Sequence, residues 1–174
     1  MARAGHLVTR FFGSLWPGGP KPEQTHWAES QLLEREVGLW RRMSGPDRRH
    51  AVGVTRRVER MLGEEATRPI LAAALLHDVG KCEAGVGTYG RVIATVSGAV
   101  IGRDQGTIQD WTRTRGFTRK VGLYLQHPKL GGDLLAMAGS DPLTEAWARE
   151  HHLPEDQWTI PLDIGQALKA ADDD

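Results

Sequence analysis

Residues 70–81 read Ile70-Leu71-Ala72-Ala73-Ala74-Leu75-Leu76-His77-Asp78-Val79-Gly80-Lys81, with Pro69 immediately before them. The apolar run has no polar stripe, and Pro69 suits a first helical turn, so the stretch predicts a helix from Ile70 to about Val79. A helix that is apolar nearly all round belongs at the centre of a core. It carries an imidazole and a carboxylate, His77 and Asp78, to its end. A buried carboxylate is costly unless it is paired or metal-bound, so Asp78 demands a cation or several donors.

The sequence around this helix has the same helical spacing, with no convincing alternating strand, and the expected fold is all-α. Leu7, Val8, Phe11, Phe12, Leu15 and Trp16 predict an amphipathic first helix that ends at Pro17-Gly18-Gly19-Pro20, with docking on the core favoured over membrane contact. A second helix is expected from about Thr25 to Met43, with Leu33, Val37 and Trp40 on one face, stopping at Ser44-Gly45-Pro46. Asp47 then caps a third, in which His50 begins a buried face continued by Val54, Val58 and Met61 while Arg56, Arg57 and Glu59 point outward.

Downstream, residues 84–120 predict a helix near Val92–Ile101 followed by a loop through Gly106 and Gly116. Gly85, Gly87 and Gly90 spell G-x-G-x-x-G, but a dinucleotide site needs a strand before it, and here a core helix precedes. Val121–Gln126 leads into His127-Pro128, and a helix over Leu130–Met137 stops at Gly139. Asp141-Pro142 start another helix carrying Leu143 and Trp147, with His151 one turn on. Pro161 opens the last, where Ile164, Leu168 and Asp172 stack at four-residue intervals. A carboxylate thereby continues an apolar face. Trp27, Trp40 and Trp147 are read as core.

Composition narrows the function. The chain has 174 residues, 40% hydrophobic and 25% charged, with 22 basic against 22 acidic side chains. This is an ordinary globular balance, one domain in size, with no nucleic-acid signal in the total charge. The longest apolar run, Val92–Ile101, is too short for a membrane span, and no signal peptide is evident. The single cysteine, Cys82, excludes a disulfide framework and a four-thiolate zinc site; it is read as structural, and a cytoplasmic location is expected.

Five of the seven histidines, His50, His77, His127, His151 and His152, fall at helix ends or on predicted buried faces, and Asp78 and Asp172 share that placement. Imidazole and carboxylate without thiolate suit borderline to hard divalent ions, such as manganese, iron, cobalt, nickel, zinc or magnesium, and the ligand type does not choose among them. His77 and Asp78 diverge by about 100° on a helix, so a shared ion must lie between them toward the helix end.

The string Ala73–Lys81, with His50 upstream in Arg48-Arg49-His50 and Asp172 downstream, resembles the HD superfamily of metal-dependent phosphohydrolases. The resemblance covers residues 47–174 as an HD-type helical bundle and leaves 1–46 as an N-terminal helical extension. His127-Pro128-Lys129-Leu130-Gly131 is similar to the His-Pro-x-x-Gly element of the two-metal HD-GYP type, and His151-His152 to its double histidine. The likeness implies that Asp78 bridges two ions, with His50, His77 and Asp172 on one and His127 and His151 on the other, His152 facing substrate or solvent. Leu153-Pro154-Glu155 follows, with no Gly-Tyr-Pro, and Pro46 stands where a third metal would need an acid, so two ions is the ceiling.

The resemblance further implies hydrolysis of a phosphomonoester or phosphodiester, nucleotide or otherwise, by a metal-activated hydroxide. Asp78, Lys81 and His152 are the expected catalytic residues, Lys81 near the scissile phosphate. In the Arg-rich stretch Arg103, Arg113, Arg115, Arg119 and Lys120, the last two are favoured for substrate binding because they lie nearest His127. The partner would be a phosphorylated small molecule or nucleotide. Two alternatives stay open: a diiron oxygenase on the same ligands, and a non-catalytic metal- or ligand-sensing module with the N-terminal helices as its docking surface.

Overall fold

The computed structural model describes residues 18–86 and 104–173. Among them are nine α-helices and no strand: α1 (Pro22–Ser30), α2 (Glu34–Arg42), α3 (Gly45–Leu62), α4 (Arg68–Leu76), α5 (Gln105–Arg113), α6 (Gly116–Leu125), α7 (His127–Ala138), α8 (Pro142–Glu150) and α9 (Leu162–Asp173). The all-α expectation is met, and no helix among the described residues is long and apolar enough to cross a membrane. The expected helices at 7–16 and near 92–101, most of the glycine motif at 85–90, and Arg103 lie outside the described residues.

The apolar circumference of α4 has the predicted consequence: every residue from Ile70 to Leu76 is buried. Ala72, Leu75 and Leu76 share a cluster with Ala28, Leu39, Trp40, Ala51 and Leu135. Ile70, Ala73 and Ala74 face a second one, with Val54, Val58, Trp147, Ile164 and Leu168. The central helix thus serves two cores at once, and the helices before residue 47 share one of them with the helices after it. α3 and α8 pack on α4, α9 on α3, and α7 on α8, so the elements carrying His50, His77, His127, His151 and Asp172 are neighbours.

Several local expectations need correction. The helix expected over 25–43 is two helices, because the Glu36 carboxylate accepts the Leu33 N–H at 2.8 Å and caps a fresh start after Ser30. Ser44, not Asp47, caps α3: its hydroxyl oxygen accepts the Asp47 N–H at 3.3 Å and its O–H donates to the Asp47 carboxylate at 2.6 Å. Met61 is 53% exposed and ends the buried face early. The loop expected through Gly106 and Gly116 is α5 and α6, since the Asp104 carboxylate accepts the Thr107 N–H at 2.8 Å and starts a helix despite Gly106. Predicted ends at α7 and α8 hold. Gly139 takes the left-handed conformation at φ 75°, and Asp141 caps α8 through the Leu143 N–H at 2.9 Å.

The largest correction lies at the doublet. α4 stops at Leu76 rather than near Val79, Asp78 sits at φ −100°, ψ 8°, and a tight 3-10 turn follows over Val79–Glu83. The turn presses on α7, and a β-carbon on Gly80 would overlap the His127 carbonyl and stand 2.6 Å from the Gly131 nitrogen. Gly80→Ala is therefore expected to cost about 3 kcal/mol, several degrees in Tm. Gly132→Ala, whose new methyl meets the Arg149 side chain rather than backbone, is expected to cost about 1 kcal/mol. Thermal denaturation of both variants checks this ranking, and equal losses would contradict it.

Candidate metal centre

The break after Leu76 turns His77 and Asp78 toward each other, with His77 Nε2 at 3.4 Å from Asp78 Oδ2. The other oxygen, Oδ1, faces His127 Nε2 at 3.4 Å and His151 Nε2 at 3.7 Å. Lys81 donates to Oδ2 from the 3-10 turn. On the far side of His77, Asp172 Oδ1 lies 3.7 Å from His77 Nε2 and 2.9 Å from His50 Nε2. One carboxylate therefore stands between two groups of ligand atoms: His50 and His77 with Asp78, and His127, His151 and His152 with Asp78. His77, Asp78, His127, His151 and Asp172 are buried; His50 is partly exposed and His152 exposed.

Backbone carbonyls fix the imidazoles. His127 Nδ1–H donates to the Tyr124 carbonyl at 2.7 Å, His151 Nδ1–H to the Ala148 carbonyl at 3.0 Å, and His77 Nδ1–H to the Ala74 carbonyl at 2.9 Å. Each acceptor is a helical carbonyl three residues upstream. With the proton held on Nδ1, a neutral ring presents the Nε2 lone pair. Burial keeps His127 and His151 neutral, outweighing the pull of Asp78: it lowers the pKa of both, that of His151 to about 4.

The outcome is an orphaned pair. His127 Nε2 and His151 Nε2 are buried without a hydrogen-bond partner. They face a carboxylate oxygen, which is also an acceptor, so neither side can donate to the other. Each unsatisfied buried polar atom costs about 1–3 kcal/mol. A cation drawn between lone pairs and carboxylate removes that cost, and this donor set fits a divalent ion.

The other side carries more charge. Burial disfavours the His77 cation, yet Asp78 and Asp172 overcome it and raise the pKa to about 9. Burial likewise opposes the charge on Asp78, but Lys81 and His77 hold its carboxyl well below the usual range. Asp172 is also pushed down, burial being outweighed by the His50 hydrogen bond and the nearby His77. Lys81 is raised above an ordinary lysine because Asp78 more than offsets its desolvation.

The remaining predicted residues divide. His152 places a nitrogen within the second ligand group, its ring 5.2 Å from that of His127, and it is exposed on the wall of an adjoining cavity. Arg119 and Lys120 are exposed on α6 and do not line that cavity; Arg113 and Arg115 are exposed as well. Trp40 and Trp147 are core, and Trp27 is partly buried under the Arg56 guanidinium, 3.4 Å from its ring centroid. Sequence reasoning missed Lys129 and Arg149, which do line the cavity. It also missed Arg57, whose Nε donates to the Ala171 carbonyl at 2.7 Å and so ties α3 to the last turn of α9 beside Asp172. Spacing placed Arg57 on an outward face and carried no sign of a contact so distant in sequence.

Compared with protein-family models, curated proteins and solved structures, the chain matches none, so the site is read from its own geometry.

Two outcomes are expected. Asp78→Ala removes the oxygens common to both groups and should abolish manganese uptake in equilibrium dialysis; retained metal would contradict the shared-carboxylate geometry. Arg57→Ala should release the end of α9 and weaken manganese binding about 10- to 100-fold in calorimetric titration, as loss of an outer support does, with Arg57→Lys restoring part of it.

Proposed function

We propose that this chain is a divalent-metal-dependent phosphohydrolase of the HD type, cleaving a phosphomonoester or phosphodiester. The observation that carries this reading is the orphaned Nε2 atoms of His127 and His151 facing one oxygen of Asp78 while His77 faces the other. In this reading His50, His77 and Asp172 would hold one ion and His127 and His151 the second, with Asp78 contributing to both. Manganese or iron is the ion expected of an HD-type site. Residues 47–174 form the catalytic unit, buttressed by α1 and α2 through their shared core.

Divalent ions held there would supply an acidified water and neutralise phosphate oxygens. The protein's residues do the rest. Asp78 keeps the two ligand groups in register. Lys81, a fixed cation beside the shared carboxylate, stabilises charge that develops on the phosphoryl oxygens. The water oxygen bonds to phosphorus, the ester P–O bond breaks with its electron pair, and the departing oxygen takes a proton. That proton comes from solvent, replacing the one the attacking water gives up; His152, exposed on the cavity wall, would contact the substrate. A diiron oxygenase would use the same ligands, but Lys81 favours phosphoryl chemistry, in which a cation at this position has a task.

Protein purified without oxygen is expected to contain up to two metal equivalents and to release phosphate or an alcohol from a panel of phosphomonoesters and phosphodiesters with manganese. An iron-loaded protein inert to every phosphoester but consuming oxygen would replace this reading with the oxygenase. Lys81→Ala should keep its metal and lose about 100-fold in kcat. Loss of metal in that variant would mean that Lys81 supports the site rather than the reaction.

A further inference from the structure

A cavity of about 520 Å³ adjoins the His127 side of Asp78, within the range of roughly 300–1,000 Å³ that holds a drug-sized ligand. Lys81, His127 and His152 line it where it meets the metal centre, and Ile108, Tyr124, Leu125, Pro128 and Leu153 give it apolar surface. Ile108 is 1% exposed, so α5 offers the cavity a core side chain rather than a solvated one. The Tyr124 ring lies close to the reacting end: its centroid is 5.6 Å from that of His127 and 5.9 Å from the Lys81 ammonium.

The cations on the wall are already engaged. Lys129 bonds Asp133 at 2.7 Å, and Arg149 bonds Asp133 at 2.9 Å and Glu145 at 3.0 Å. Lys81 is paired as well, donating to Asp78, but it stands where the cavity meets the metal centre, so negative charge on a ligand is met at that end. A cavity of this kind can neutralise one phosphoryl group at the metal end. Further phosphates along it would meet Tyr124, Ile108 and Leu153 and lose hydration without compensation.

We propose that this cavity is the subsite for the organic part of the substrate, selecting an ester with a single phosphoryl group and an apolar or aromatic alcohol, with Tyr124 as the specificity-determining residue. The inference rests on the phosphohydrolase reading and adds to it the class of alcohol. An aromatic ring against Tyr124 gains contact area and a stacked or edge-to-face pairing that an alkyl chain of few carbons lacks. Tyr124 acts on binding of the organic group and not on the reacting bond.

The test uses the manganese-loaded full chain and phosphonates, which bind without turnover. Benzylphosphonate should bind at least about tenfold more tightly than methylphosphonate in calorimetry. The preference should vanish in Tyr124→Ala and persist in Tyr124→Phe, with manganese content unchanged in both. With free manganese held constant, adenosine diphosphate should displace benzylphosphonate no better than adenosine monophosphate does. Equal affinity for the two phosphonates, a preference surviving in Tyr124→Ala, or a diphosphate about tenfold better than the monophosphate overturns the proposal. Aryl preference without cleavage of any phosphoester keeps the subsite and sinks the phosphohydrolase reading, while cleavage without aryl preference does the reverse. A chain that takes up no manganese overturns both.

Discussion

A carboxylate taken out of water must be surrounded by positive charge or donors, and Asp78 is the carboxylate this molecule is arranged around. Its two oxygens are shared out among side chains from different places in the sequence. Lys81 and His77 attend one, His127 and His151 the other. Lys81 and His77 lie on one oxygen and the buried rings of His127 and His151 on the other, where neither Nε2 atom has a hydrogen-bond partner. The unpartnered nitrogens and the carboxylate oxygen they face are a set of atoms that could hold a cation.

Support for the ligands comes from ordinary helix geometry. Each of His77, His127 and His151 turns its Nδ1–H back to a carbonyl three residues earlier, so the helix that carries the ring also orients it. The close passage of the 3-10 turn over α7 brings His127 within reach of Asp78, and only glycine at position 80 permits it. Asp172 depends on a longer chain of contacts, from the core face of α9 through the Arg57 bond to the Ala171 carbonyl. The groups that could hold a metal thus rest on helices and have oriented side chains, as a binding site for an ion requires.

Much of this was legible from residue patterns. The all-round apolar character of Ile70–Leu76 marked a central helix, and an acid at Asp172 continuing the Ile164–Leu168 face marked a buried carboxylate. The ends of α7 and α8 followed from Gly139 and Asp141, whose preferences are local. Other features were hidden by competing local signals. Leu33 and Val37 continue a helical spacing across a real break, and Gly106 and Gly116 suggest a loop where side-chain capping and packing enforce two helices. The α5–α6 pair is held partly by close backbone approach, as at Gly122, where a β-carbon would stand 2.8 Å from the Thr112 nitrogen, and spacing rules do not register such contacts.

Residue order alone determined that the chain is helical, which helix is central, and that His77, His127, His151, Asp78 and Asp172 face inward, though not that Glu36 and Glu150 do, because burial and periodicity are properties of neighbouring residues. Tertiary packing decided the rest: which oxygen of Asp78 each histidine faces, that two Nε2 atoms are left without donors, and that the cavity is lined by Tyr124, Lys129 and Arg149 rather than by Arg119 and Lys120. Those outcomes depend on distances between elements far apart in the chain, and such distances are set only when the helices close on one another.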